Sequence, residues 1–234
     1  MRKALFCLMA AGCLAQSEKV LLDTDGSYFN DDGAALVMLL NSPQRIDLQA
    51  MTVVAGNFWP AEGAPMMAHI MKLMHRDVPM SIGAQMPLVH NRAMAQMETW
   101  IEYQGAFAIP PKTIAGPTKA VDAMIDTIEK SPGKVTVLAI GPMTNLAMAL
   151  RLRPDLASKI ERLVFMGGAV HSKKAEFNFW FDPEAAKIVL RSSIAKKVMF
   201  GLDICDRAPI DEAHARQITV KSPIGDLYRD DVRK

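Results

Sequence analysis

Four carboxylates fall within ten residues near the start of the chain, in Asp23-Thr24-Asp25-Gly26-Ser27-Tyr28-Phe29-Asn30-Asp31-Asp32. Packed this closely, such groups repel one another unless a cation or shared protons relieve them. A hard divalent ion is the simple remedy, and oxygen ligands of this kind suit calcium or magnesium. Asp31 or Asp32 could instead cap the helix that follows, where the macrodipole favours negative charge. Capping uses one or two of the acids and leaves the others unexplained, so metal binding is the better reading. A carboxylate beside such an ion is placed to take a proton from water, which is hydrolytic chemistry.

The elements that must hold this turn follow from the hydrophobic pattern. Short apolar runs at 20–22, 48–54, 80–82, 135–140, 163–166 and 198–202 predict strands. Segments of helical period at 32–40, 61–75, 121–129, 145–152 and 183–190 alternate with them. That alternation predicts an α/β fold: a mostly parallel central sheet, helices on both faces, Rossmann-like. In such sheets ligands collect at the carboxyl ends of the strands. Asp23 and Asp25 follow the first strand, Asn57 the second, Thr144 the one ending at Ile140 and Gly167 the one ending at Met166. Residues 84–118, with three prolines between Pro110 and Pro117, are expected to form a long loop or lid.

These blocks carry a resemblance. The chain resembles the inosine-uridine preferring nucleoside hydrolases, whose first strand ends in Asp-x-Asp followed shortly by Asp-Asp. The further matches, in order, are Val53-Val54-Ala55-Gly56-Asn57, Val78-Pro79 with Gly83 and Pro87-Leu88, Gly141-Pro142-Met143-Thr144-Asn145, Met166-Gly167-Gly168, and Glu176-Phe177-Asn178 with Asp182-Pro183-Glu184-Ala185-Ala186. They run from about Lys19 to Asp206. The resemblance implies hydrolysis of the N-glycosidic bond of ribonucleosides to free base and ribose, using calcium-activated water. It implies that Asp25 binds calcium and acts as the base, that Asp32 binds through its carboxylate, and that Thr144 binds through its backbone carbonyl. Asp31 would hold the ribose 2-hydroxyl, Asn57, Met166, Glu176 and Asn178 would line the sugar pocket, and Asp23 would support the site from behind. Cleavage of such a bond passes through an oxocarbenium-like sugar, which nearby carboxylates stabilise.

Members of that family supply a further calcium-binding aspartate from a later segment. Asp226, Asp230 and Asp231 stand near the end of the chain in a context that does not match it, and they read as a solvated helix face. The domain at 16–234 is therefore expected to be incomplete at its C-terminus. The alternative is a catalytically impaired riboside-binding relative that lacks the last calcium ligand. A less favoured reading rests on Leu22-Asp23-Thr24-Asp25-Gly26-Ser27, which also resembles the opening motif of haloacid-dehalogenase-like phosphatases. There Asp23 would be the nucleophile, and Gly225-Asp226 with Asp230 would form the late motif.

Composition bounds the partners. With 234 residues, half of them hydrophobic, the chain can bury one sizeable core. A net charge of +2 and the absence of like-charge blocks argue against a nucleic-acid partner and favour a small nucleoside. Residues 1–15 have a basic start, an apolar run and small residues at Cys13 and Ala15, the layout of a signal peptide cleaved near Ala15. Export to the periplasm or outside the cell is expected, without a stable membrane span, because the apolar run is shorter than the roughly 20 residues a span needs. Of three cysteines, two leave with the signal, so Cys205 would be alone and a thiolate zinc site is not expected. Relatives self-associate, so the resemblance allows a homo-oligomer.

Overall fold

The computed structural model describes residues 17–26, 31–89, 119–131, 134–173, 175–208 and 212–231. In chain order they form β1 (Glu18–Thr24), α1 (Asp31–Leu40), β2 (Ile46–Val53), α2 (Pro60–Leu73), β3 (Met80–Ile82), α3 (Ala120–Lys130), β4 (Val135–Ala139) and α4 (Thr144–Leu152). A 3-10 turn (Pro154–Ser158) leads into β5 (Ile160–Met166), α5 (Phe177–Phe181), α6 (Pro183–Leu190), β6 (Lys197–Phe200), α7 (Leu202–Cys205), α8 (Glu212–Arg216) and α9 (Pro223–Asp231). The strands make one parallel sheet in the order β3-β2-β1-β4-β5-β6. The predicted alternation is therefore what the chain adopts. The expected signal at 1–15 and most of the expected lid, 90–118, lie outside the described residues.

The sheet is covered on both faces because its central strand is apolar on both. Successive residues of a strand point to opposite sides, and Leu21 and Leu22 on β1 are each fully buried in a different cluster. Leu21 belongs to one cluster with Met124 and Ile128 of α3, Leu146 and Leu150 of α4 and Val189 of α6. Leu22 belongs to the other, with Leu36 and Leu40 of α1 and Met67, Ile70 and Met71 of α2. Each such side chain contributes about 2 kcal/mol by leaving water, and a charge at either position would break one layer. Helix α3 shows the logic at its simplest: Ala120, Met124 and Ile128 recur every fourth residue and are the ones it buries. The methionines of α2 are likewise core. At the C-terminal end, Ile224 and Leu227 of α9 pack onto the α1/α2 layer. Among the described residues no helix is long and apolar enough to cross a membrane.

The strand order reverses direction between β1 and β4. A parallel sheet opens a crevice at that point, outside the carboxyl ends of the two strands. Asp23 and Asp25 stand at one side of it and Gly141 at the other.

Candidate active site

Asp25 leaves the end of β1 and is 1% exposed. Its Oδ2 accepts the backbone N–H of Asn57 at 2.7 Å, from the loop after β2. Its Oδ1 is buried with no hydrogen-bond partner. Two glycines make room for it. A Cβ on Gly56 would stand 2.1 Å from Oδ2, and one on Gly141 would stand 2.7 Å from the Asp25 nitrogen. Side chains longer than hydrogen at either strand end would displace the carboxylate, so the glycines of the Gly-Asn and Gly-Pro blocks are sterically required.

Asp23, one turn of the pleat earlier, points to the same end. Its Oδ1 accepts from Thr52 Oγ1 at 2.7 Å and from Asn145 Nδ2 at 2.9 Å, while Oδ2 is buried and unpartnered. Asp32 is buried at the start of α1, where its Oδ1 accepts the Thr24 hydroxyl. That hydroxyl in turn accepts the Gly26 N–H at 3.2 Å, which shapes the turn, and Gly26 takes a positive φ of 36° there. Asp31 is exposed beside it.

Burial raises all three enclosed carboxyls. Asp23 is lifted to about 7 by loss of water, against the opposing hydrogen bonds from Asn145 and Thr52. Asp25 is lifted to about 7 by burial and by the charges of Asp31 and Asp23, against the Asn57 N–H. Asp32 rises well above the ordinary carboxylate value, by burial first and then by the charges of Asp25 and Asp31. Three buried, mutually repelling acids with two unpartnered oxygens are the condition that a cation relieves. Among the described residues no three acidic, histidine or cysteine side chains converge as a ready metal cage. Asp25 and Asp32 could hold an oxygen-loving ion only with other ligands, such as carbonyl oxygens and water, completing its shell.

The rest of the expected site is brought to the same sheet end, but several residues there serve the backbone. Glu176, 4% exposed, accepts from the N–H groups of Asn178, Gly168 and Phe179 at 2.7, 2.7 and 3.0 Å. Both its oxygens thereby take part in capping α5 and holding the loop after β5, beside the pocket that Glu176 was expected to line. The Asn178 amide nitrogen donates to the carbonyls of Ile140 at 2.8 Å and Met166 at 3.1 Å, tying the ends of β4 and β5 together. Met166 is half-buried there, its sulfur 3.4 Å from the same nitrogen. Asn57 is half-buried next to Asp25.

Thr144 is buried at the same sheet end as the first residue of α4. Its hydroxyl donates to Asp182 Oδ2 at 2.7 Å.

Two residues were passed over in the sequence. Asp182, fully buried, accepts from Thr144, from the Leu88 N–H at 2.9 Å and from the Ala185 N–H at 3.0 Å, which caps α6. Asn145 links Asp23 to the Ala84 N–H at 2.8 Å. The Asp-Pro-Glu string was the available signal for the first, being a capping aspartate before a proline at the first helical position. No local pattern marks the second.

The sequence profile of the inosine-uridine preferring nucleoside hydrolases matches residues 20–232. The chain belongs to the inosine-uridine preferring nucleoside hydrolase family. Within that family it is 39% identical over 197 residues to a pyrimidine-specific ribonucleoside hydrolase of Escherichia coli O1:K1, an alignment covering 82% of this chain and 62% of that protein. The chain thus spans about 62% of the length of that relative. Among solved structures it resembles a plant nucleoside hydrolase, with a TM-score of 0.79 and 26% identity over 92% of this chain and 70% of the other. It also resembles a purine-preferring ribonucleoside hydrolase from Gardnerella vaginalis, with a TM-score of 0.76 and 27% identity over 91% and 70%. The phosphatase-like reading gives way to this family. Its late motif would need Asp226, which is paired with Arg229 on α9, after the last strand of the sheet.

Proposed function

We propose that this chain hydrolyses the N-glycosidic bond of ribonucleosides, with calcium at the end of β1. The observation that carries the reading is the buried, unpartnered Oδ1 of Asp25 at the strand-order reversal, held between Gly56 and Gly141 with Asp32 beside it. Calcium held by Asp25 and Asp32 would polarise a water and lower its pKa.

The chain's own groups account for the remaining steps. Asp25, fixed through Oδ2 by the Asn57 N–H, takes the proton from the attacking water. The water oxygen bonds to the ribosyl C1, the C–N bond breaks, and its electron pair leaves with the base, which takes up a proton from solvent while Asp25 later returns its own to solvent. Asp31, exposed at the start of α1 beside Asp32, would accept a ribose hydroxyl. Asn57 and Met166 line the sugar, and Asn178 and Glu176 hold the backbone that shapes the pocket. Negative charge beneath the ring stabilises the positive charge that develops on it.

A second reading, a riboside-binding relative without turnover, is favoured by one finding: among the described residues the acids do not complete a metal cage. Incubating the purified protein with inosine, uridine and a chromogenic riboside, with and without a calcium chelator, separates the two. Chelator-sensitive release of free base supports the hydrolase. Binding without release supports the second reading. The layout of residues 1–15 supports export, which N-terminal sequencing of the mature protein tests.

A further inference from the structure

At the opposite end of the sheet from the acids, the C-terminal ends of α4 and α6 enclose a groove of about 410 Å³. Its floor is apolar, formed by Leu150, Ala157 and Ile188, and its rim carries Arg151, Lys187 and Arg191. All three cations are exposed. Among the described residues none of the three is in an ion pair, whereas neighbouring Arg153 and Lys159 are both matched with Asp155 and Glu129.

Cations near helix C-termini complement the macrodipole, which accounts for each one separately. It does not account for three turned to one cavity. Lys187 in the last turn of α6 and Arg191 at its C-cap are four residues apart, a like-charge spacing that is unfavourable on a helix. Arg151 adds a third positive charge from α4. An anion among them removes that repulsion, and guanidinium groups suit the fork of a phosphate or carboxylate. The floor adds a requirement, since Ile188 is only partly covered by the core and a bare inorganic anion would leave its open side facing water.

We propose that this groove is a second binding site, for a phosphate monoester that carries an apolar or planar body. The phosphate lies among Arg151, Lys187 and Arg191, and the body rests on the open side of Ile188. Nucleoside monophosphates and phosphorylated sugars share this chemistry. The site is independent of the catalytic reading, because neither its residues nor its ligand touch the acidic cluster.

The test is calorimetric titration of the full chain at low ionic strength with inorganic phosphate, phenyl phosphate, UMP and ribose 5-phosphate. Phenyl phosphate should bind about tenfold more tightly than inorganic phosphate, with affinity falling as salt rises. UMP binding ahead of ribose 5-phosphate would point to a nucleotide, and the reverse to a sugar phosphate. Arg151→Glu and Arg191→Glu should each weaken phenyl phosphate at least tenfold. Both positions are exposed, so thermal melting should be close to that of the unaltered chain. Absence of saturable binding by any of the four, or affinity unchanged in both variants, would overturn the proposal. So would equal affinity for inorganic and phenyl phosphate.

Discussion

Asp25 lies so closely against Gly56 that a methyl group at position 56 would overlap its Oδ2 and sit 2.6 Å from its Cβ. The whole side chain, not only its tip, must move to admit it. Gly56→Ala is therefore expected to cut base release by at least about 100-fold, as displacements near 1 Å do in active sites. Circular dichroism should show the fold retained while calorimetry shows calcium affinity reduced. Unchanged turnover would show that Asp25 is not where the chemistry occurs.

Acid–base titration of the metal-free protein gives a second outcome. Asp23 and Asp25 titrate near 7 in the folded chain against an ordinary 3.8, and Asp32 shifts the same way. Across that window the folded state keeps protons that the unfolded chain has released. The contribution of these three groups to stability in chelator should thus be most favourable below about pH 4 and fall by a few kcal/mol as pH rises to about 7. Urea titrations at pH 5 and pH 8 measure it, and calcium should restore part of the loss at pH 8. Asp23→Asn, which keeps an acceptor for Thr52 and Asn145, should flatten the slope.

Asp182 joins three segments, so its removal should act on the fold. Asp182→Ala leaves the Thr144 hydroxyl and the Leu88 and Ala185 N–H groups without their acceptor. A destabilisation of about 2–4 kcal/mol is expected. A shift below about 1 kcal/mol in denaturant melts would mean that water replaces it readily.

Glu176→Gln tests whether that side chain shapes the pocket or touches the sugar. The amide would turn an N–H group toward backbone donors that now meet a carboxylate oxygen. Lower stability by about 1–3 kcal/mol should accompany the loss of activity. A drop in turnover at full stability would instead place Glu176 against the substrate.

Much of this was legible in the sequence because parallel sheets write their strands as apolar runs. Val20, Leu21 and Leu22 had to be interior on both sides, and the polar residues after them had to emerge at a strand end. The acidic cluster was legible for the same reason. What the sequence did not disclose was how neighbours divide the hydrogen bonds. Glu176 and Asn178 read as sugar-binding groups, yet each satisfies main-chain atoms of segments that meet only in three dimensions. Thr144 was expected to offer its carbonyl, while the partner of its hydroxyl, Asp182, lies 38 positions away, a pairing that no local pattern marks. Helix α5 escaped notice because its five residues, Phe177 to Phe181, are too few to show a period.

The link between Asn145 and Asp23 spans 122 positions of the chain. β1 finds β2 early, through a short connection, but the pocket behind the acids closes only when β4 docks on its other side and delivers Gly141 and Asn145. Contacts of such separation form slowly, since the intervening chain must first be confined. The acids are consequently expected to enter their costly confinement late in folding, after the half-sheet that carries them has gained its apolar contacts.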